Sequence, residues 1–379
     1  MVTGEAPSLP AWAAAYNQDR PLHNKAILSV CYAPYVTLDF APNGDVFVCC
    51  VNTKYQVGHV TEQTILDIWR GARIRTLRER LKQFDFSLHC ERCRWQVDLG
   101  NFSSVFAKRD DGFTVPHDPP EFPQRMDFRL SNACNFACTM CNGDYSSILR
   151  AKEGRAPFAR VYGERFFEQL SGCLPHLKEA RFAGGEPFLI PEYSRIWDLM
   201  IAQGATVRCM LNTNASILND RVHAYLERIP FYNIGISVDG ATRETFEAIR
   251  YGGNFEQVLR HAAVIKSIAD RKRTKVHFAV CVMRQNWREF PEIVRLAEQL
   301  GCPVNVNLVY HPTACSLYEL PREELTAVRL YLERALERLR PTLFSETVAH
   351  WQALLESLVA TELKDVGRPL AHQALPVTT

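Results

Sequence analysis

The chain has 379 residues, 47% of them hydrophobic, enough to bury a full core and to hold two domains. Its 44 basic and 42 acidic side chains leave a net charge of +2, which excludes a global field recruiting nucleic acid or a membrane surface. No apolar run approaches a membrane span and MVTGEAPSLP lacks the order of a signal peptide, so a cytoplasmic protein is expected, in which 13 cysteines point to metal rather than disulfides.

From the N-terminus, the first organised segment is built around four cysteines. Residues 36–40 and 46–50 read as the arms of a hairpin turning at Pro42, Asn43, Gly44 and Asp45. Residues 61–84 place Ile65, Ile68, Trp69, Ile74, Leu77 and Leu81 at helical spacing, which predicts one helix. Cys31 and Cys49 bracket the hairpin and Cys90 and Cys93 (HCERC) return after the helix, so the fold would bring four thiolates together. Cys50 would face the other side of its strand from Cys49. Four cysteines suit a structural zinc ion or an iron–sulfur cluster, and spacing leaves both open. Residues 95–123, with Gly100, Gly112 and prolines between 116 and 123, read as a linker.

The next element, RMDFRL at 125–130, alternates as a strand does, and Asn132 and Asn135 suit the turn beyond it. That turn carries Cys134, Cys138 and Cys141 within LSNACNFACTMC. Three thiolates on a short loop can hold three irons of a cubane cluster and leave the fourth iron open for chemistry. A fully ligated carrier would need a fourth local cysteine, and none follows before Cys173. From spacing alone, structural zinc and thiol redox chemistry stay open as alternatives. Helical character at 144–150 and 159–170 is followed by strands near 179–183, 206–212, 232–238, 276–283 and 303–310, alternating with helices. This predicts a parallel α/β fold with the cysteine loop at the C-terminal end of its first strand, the end where α/β barrels put their active sites. Residues 322–363 read as helical with Leu325, Val328, Leu332, Leu336 and Leu339 on one face, and about the last dozen residues as loose.

Further landmarks sit at the strand ends. In RFAGGEPF (181–188), glycines let the backbone approach a ligand and Glu186 can accept hydrogen bonds from an ammonium group. NIGISVDG (233–240) ends a buried strand in Ser237 and Asp239, suited to ribose hydroxyls or a carboxylate, and Asn212 ends the strand-like VRCMLNTN. With the cysteine loop, these landmarks in this order resemble the radical S-adenosylmethionine (SAM) superfamily. The resemblance implies a partial (β/α)6 TIM-type barrel over 124–315, a helical extension over 316–379, and a 4Fe-4S cluster on Cys134, Cys138 and Cys141 that binds SAM. It implies Gly184, Gly185 and Glu186 as the site for the SAM amino group, with Asn212, Ser237 and Asp239 as further contacts. Arg250 and Arg260 are both candidates for the SAM carboxylate, which a guanidinium can bind bidentately, and the sequence does not choose between them. Met140 stands where the family often has an aromatic residue.

Residues 31–93, with Gly58 and the Asp67, Ile68, Trp69 element, resemble the SPASM and twitch auxiliary-cluster domains, which usually follow the barrel and here precede it. The resemblance implies a domain over 1–94 with one auxiliary 4Fe-4S cluster on Cys31, Cys49, Cys90 and Cys93. The full seven-cysteine pattern is incomplete, because no cysteine lies between Cys93 and Cys134.

Such a protein would cleave SAM reductively to a 5′-deoxyadenosyl radical, fed by a flavodoxin or ferredoxin-type donor. The radical would take hydrogen from a C–H bond of a peptide or a small natural-product precursor. The absence of an obvious peptide-recognition domain points to a small molecule or a partner-delivered peptide. An auxiliary cluster accepting an electron would give oxidation or dehydrogenation, and a thiol donating hydrogen would give epimerisation. Cys315, in HPTACSLY beyond the sixth strand, is the donor candidate; Tyr310 and His311 share that mouth. Arg125 and Arg129 could meet an anionic substrate, while Cys173, Cys209 and Cys302 read as core and Cys281 as part of a strand. The competing class is an iron–sulfur or zinc scaffold or redox carrier without SAM cleavage. Oligomeric state is not written in the sequence.

Overall fold

The computed structural model describes residues 9–18, 20–100, 102 and 105–364, so the expected loose tail lies outside the described residues. Two compact units emerge. One takes in the chain up to Leu130 with Phe158–Arg181 and Ala202–Val207; the other takes Ser131–Pro157, Phe182–Ile201 and the chain from Arg208 onward.

In the first unit the hairpin forms where the turn residues predict it. Strand β1 (Thr37–Phe40) pairs antiparallel with β2 (Asp45–Phe47), and β3 (Gly58–His59) adds to β2. Strand β4 (Arg125–Phe128) runs parallel to β1, and the order is β3-β2-β1-β4 with β5 (Glu179–Phe182) beyond. Because side chains alternate, Leu38, Phe40, Met126 and Phe128 share one face and Asp39, Arg125 and Asp127 the other. On the apolar face Phe40 stacks on Phe128 at 5.7 Å and meets Phe166 edge-on at 5.4 Å. On the charged face Arg125 pairs with Asp110 and Asp127, and Arg129 with Asp39 at 2.8 Å. The two arginines read as substrate contacts therefore already face carboxylates of their own unit, which satisfies charges that burial would otherwise penalise.

The single helix expected over 61–84 is two, Ile65–Trp69 and Ala72–Lys82. The first opens on a capping box between Thr64 and Asp67, and the chain turns at Arg70 and Gly71, whose ψ of 164° is extended rather than helical. Apolar periodicity carries across such a turn because both segments bury their faces in one core. The stretch read as a linker contributes ordered structure too: a helix spans Glu91–Asp98 and a 3-10 turn Phe106–Asp110.

The second unit holds four parallel strands in the order β6 (Arg208–Thr213), β7 (Phe231–Ser237), β8 (Lys275–Val282) and β9 (Val304–Leu308). Helices Asp220–Arg228, Phe255–Lys272 and Phe290–Gln299 alternate with them, the first two N-capped by Asn219 and Asn254. One sheet face is apolar, with Leu211, Ile234, Ile236, Phe278, Val280 and Val304 buried. The register places Asn212, Gly235 and His277 in one row of the opposite face, with Ser237 beside Ala279 and Cys281 beside Asn307. Parallel strands covered on both sides are normally apolar on both, so this polar face marks a surface kept for a ligand. At Gly235 a Cβ would stand 2.0 Å from Asn212 Oδ1, so the glycine lets the Asn212 side chain lie across the strand. The mixed α/β fold with a parallel sheet is the one the sequence predicts. The C-terminal segment forms helices Arg322–Leu339 and Ser345–Lys364, with the five predicted apolar positions of the first buried. Among the described residues, no helix is long and apolar enough to cross a membrane.

Candidate functional site

The loop after β4 is fixed by backbone hydrogen bonds before any ligand arrives. Gly185 N donates to Ser131 O at 3.1 Å and Glu186 N to Ala133 O at 2.8 Å. A Cβ at Gly185 would lie 2.0 Å from Ala133 O, so the second glycine of GGEP is what lets the two loops close. On the other side Ala137 N donates to Tyr251 O and Thr139 N to Ile249 O, both at 2.9 Å. Ser146 caps the helix Ser147–Lys152 and donates its hydroxyl to Phe136 O at 2.8 Å.

This framework turns Cys134, Cys138 and Cys141 into one cavity of the second unit with Gly184, Gly185, Glu186, Asn212, Ser237 and Arg250. Glu186 is 2% exposed and its carboxylate accepts from Thr213 Oγ1 and Asn214 N at 2.7 Å and from Phe188 N at 3.2 Å. Burial nevertheless outweighs those donors and pushes its pKa up to about 7. Arg250 forms an ion pair with Asp239 at 2.6 Å and points Nη1 at Cys138 Sγ, 3.8 Å away. Asp239, which also accepts from Cys281 N at 2.7 Å, therefore orients Arg250 and does not itself line the cavity. Burial pushes the Cys134 thiol up to about 11, Cys141 up to about 12, and Cys138 upward as well. Thiols so placed stay protonated unless a cation takes up their charge, as ligation to iron would.

A second cavity, within the first unit, is lined by Cys31, Cys49, Cys90 and Cys93, with Phe106, Ala107 and Asp110 from the supposed linker. Ala33 N donates to Cys31 Sγ and Asn52 Nδ2 to Cys90 Sγ, each at 3.4 Å. Burial again raises these thiols, Cys90 to about 12 and Cys93 to about 11. Among the described residues no three His, Cys, Asp or Glu side chains converge on a single-ion site. Buried thiols with N–H groups aimed at two of their sulfurs fit an iron–sulfur cluster, whose sulfurs such donors stabilise. Cys50 does not line this cavity; its thiol meets Cys49 and accepts from Arg109 Nη1 at 3.3 Å. Burial would lower the Arg109 pKa, but Asp110, Asp127, Cys50 and Cys49 outweigh it and hold the guanidinium charged.

Residues 128–297 match the family model of the radical SAM superfamily, and residues 31–94 match that of an iron–sulfur cluster-binding domain, SPASM. Residues 128–297 thus resemble a radical SAM core, with a SPASM-like segment ahead of them. The mycofactocin maturase MftC of Mycobacterium tuberculosis is 26% identical over 189 residues, 48% of this chain and 44% of that protein. An AdoMet-dependent heme synthase of Methanosarcina barkeri is 26% identical over 180 residues, 47% of this chain and 48% of that protein. The chain thus spans about half the length of the curated relatives it matches. Among solved structures, Streptococcus suis SuiB bound to precursor peptide SuiA aligns over 67% of this chain and 60% of its own, at 12% identity and a TM-score of 0.42. Native anSMEcpe with bound AdoMet aligns over 56% of this chain and 59% of its own, at 16% identity and a TM-score of 0.41.

Within the matched segment the structure separates the two arginine candidates: Arg250 lines the cavity, whereas Arg260 is exposed on the helix Phe255–Lys272. Cys315 is 2% exposed, packs against the cysteine loop, accepts from Gln285 Nε2 at 3.4 Å and donates to Thr139 O at 3.5 Å, outside the cavity lining. Tyr310 stacks on Tyr318 at 4.6 Å. Cys173, Cys209 and Cys302 are buried, as expected. Sequence reading missed Cys281 and Asn307, which share the polar face and line the cavity. Period two on β8 and β9 was the available signal, since VNVNL alternates openly.

Proposed function

We propose that this protein is an enzyme that binds SAM at a 4Fe-4S cluster held by Cys134, Cys138 and Cys141 and abstracts hydrogen from a peptide substrate. The observation that carries the reading is one cavity combining three buried thiols with Glu186, Asn212, Ser237 and Arg250. Bound together, cluster and SAM supply the 5′-deoxyadenosyl radical, chemistry that no side chain performs. Glu186 would accept from the SAM ammonium and Arg250 would face its carboxylate, while Ser237 and Asn212 offer partners to the ribose. Asp239 keeps Arg250 in place and Gly185 keeps the cysteine loop closed.

In our reading residues 1–94 form the auxiliary domain, 95–123 connect it, 124–315 form the barrel and 316–379 extend it. Cys31, Cys49, Cys90 and Cys93 would hold a second 4Fe-4S cluster, a one-electron centre, and a flavodoxin or ferredoxin in the cytoplasm would be the donor. A peptide is favoured as substrate because a maturase is among the relatives. Oxidation is favoured over epimerisation, since the thiol of Cys315 is enclosed by Gln285, Thr139 and the cysteine loop.

Anaerobic reduction of the reconstituted protein with SAM is expected to yield 5′-deoxyadenosine; none from a protein with both clusters loaded would overturn the reading. In deuterated water, a product two hydrogens lighter marks oxidation. Solvent deuterium in an isomeric product, lost in Cys315→Ala, would mark epimerisation instead.

A further inference from the structure

We propose that Arg109 is a positioning residue that raises the reduction potential of the auxiliary cluster by holding a buried positive charge beside its ligand Cys49, through Cys50. The inference rests on the auxiliary-cluster reading above and goes beyond it to a residue outside the four ligands.

Three observations converge on Arg109. It lies within the 3-10 turn Phe106–Asp110, whose residues Phe106, Ala107 and Asp110 line the four-thiol cavity, so the turn sets its distance from the site. Its ion pairs with Asp127 and Asp110 are long, 3.5 and 3.8 Å, while the hydrogen bond recorded for it among the described residues runs from Nη1 to Cys50 Sγ at 3.3 Å. Cys50 in turn contacts the thiol of Cys49, which lines the cavity. The guanidinium also lies over the Phe106 ring at 4.8 Å, which fixes its plane. A side chain held from three sides and only 18% exposed keeps its charge where solvent screens it poorly.

Potentials of iron–sulfur clusters follow the net charge nearby and the hydrogen bonds to their sulfurs. Adding an electron to the cluster increases its negative charge, so a fixed cation at its ligand favours the reduced state. The pair of Cys50 and Arg109 therefore has a use that explains why the second cysteine of VCCV is present without lining the cavity. Asp127, on the charged face of β4, anchors the other side of Arg109 and keeps the cation from swinging away.

The test uses the full chain with Cys134, Cys138 and Cys141 replaced by Ala, so that only the auxiliary cluster loads. Its midpoint potential is followed by electron paramagnetic resonance in an anaerobic redox titration. Arg109→Gln should bind as much iron as the parent but lower the reduction equilibrium constant about tenfold, about 59 mV for one electron. Arg109→Lys, which keeps the charge, should shift by less than half as much. Equal potentials in parent and Arg109→Gln, or an equal shift in both variants, would overturn the inference while leaving the cluster reading intact. If the parent binds no iron, or if Cys50→Ala empties the site and Cys49→Ala does not, the auxiliary reading itself fails and takes this inference with it.

Discussion

The two thiol sites of this molecule are assembled in opposite ways. Cys134, Cys138 and Cys141 lie within eight residues of chain on one loop, and the loop is locked by hydrogen bonds to the GGEP turn and to Ile249 and Tyr251. Cys31, Cys49, Cys90 and Cys93 are spread over more than sixty residues and meet only because a hairpin, two helices and a 3-10 turn fold around them. Local spacing sets the first arrangement, with little loop entropy left to lose, whereas the second depends on tertiary closure. The first cavity keeps polar groups for a ligand, Glu186 and Arg250 among them; the second is ringed by Phe106, Ala107, Leu77 and Leu81. A polar cavity and a more apolar one suit a cluster that reacts and a cluster that only exchanges electrons.

That contrast can be broken most sharply by removing single thiols. Cys138→Ala is expected to bring 5′-deoxyadenosine formation to background and to lower bound iron from about eight to about four atoms per chain, because the four-thiol site does not depend on it. Cys49→Ala should remove the other four or so, whereas Cys50→Ala should keep all of them, as anaerobic iron and sulfide analysis would register. Full iron in Cys49→Ala would mean that Cys50, not Cys49, is the ligand.

Smaller changes sharpen the difference between the two cavities. Gly185→Ala forces a Cβ onto Ala133 O and should destabilise the second unit by about 1–3 kcal/mol while weakening SAM binding, with auxiliary iron unchanged. Glu186→Gln should lower SAM affinity about tenfold at pH 8, the size of a charged hydrogen bond lost. The parent should show its own pH dependence: below pH 7 the raised carboxyl is protonated and cannot receive the SAM ammonium as an ion. Affinity should then fall by up to about tenfold per pH unit, and this slope should vanish in Glu186→Gln; a slope of equal steepness in both would remove Glu186 from the ammonium site.

The smallest effect concerns the polar face. His277, beside Asn233 Oδ1 at 3.0 Å, is held by burial at a pKa of about 4, below its ordinary value near 6.5. The unfolded chain thus takes up a proton where the folded one does not, so stability is lost as pH falls from 6.5 towards 4. Urea titrations should record a loss of about 1 kcal/mol per pH unit in that window, and His277→Asn should flatten it.

Much of this was legible in the chain itself. Each of the six strands expected from 125 onward is present within two residues or so of its predicted place, because apolar alternation bounded by turn residues survives any packing. The cysteine loop, GGEP and Ser237 all reach one cavity, since each sits directly at the end of a strand. What failed did so for identifiable reasons. One helix became two at Gly71, because a shared apolar face continues across a turn; the 106–110 segment was read as linker although its residues line a site. Arg250 and Arg260 looked alike until the chain turned at Gly252 and Gly253 and left only the first at the cavity.

The sequence by itself determined the strand and helix order, the thiol loop and the GGEP turn, because those depend on spacing within a few residues. Only the tertiary structure decided which arginine faces the cavity, that Asp239 supports it from behind, that Cys281 lines the cavity while Cys315 is enclosed, and that Arg109 stands against Cys50. Those choices depend on which distant segments pack together, and burial of charge and thiol, the quantity that sets their chemistry, exists only after packing.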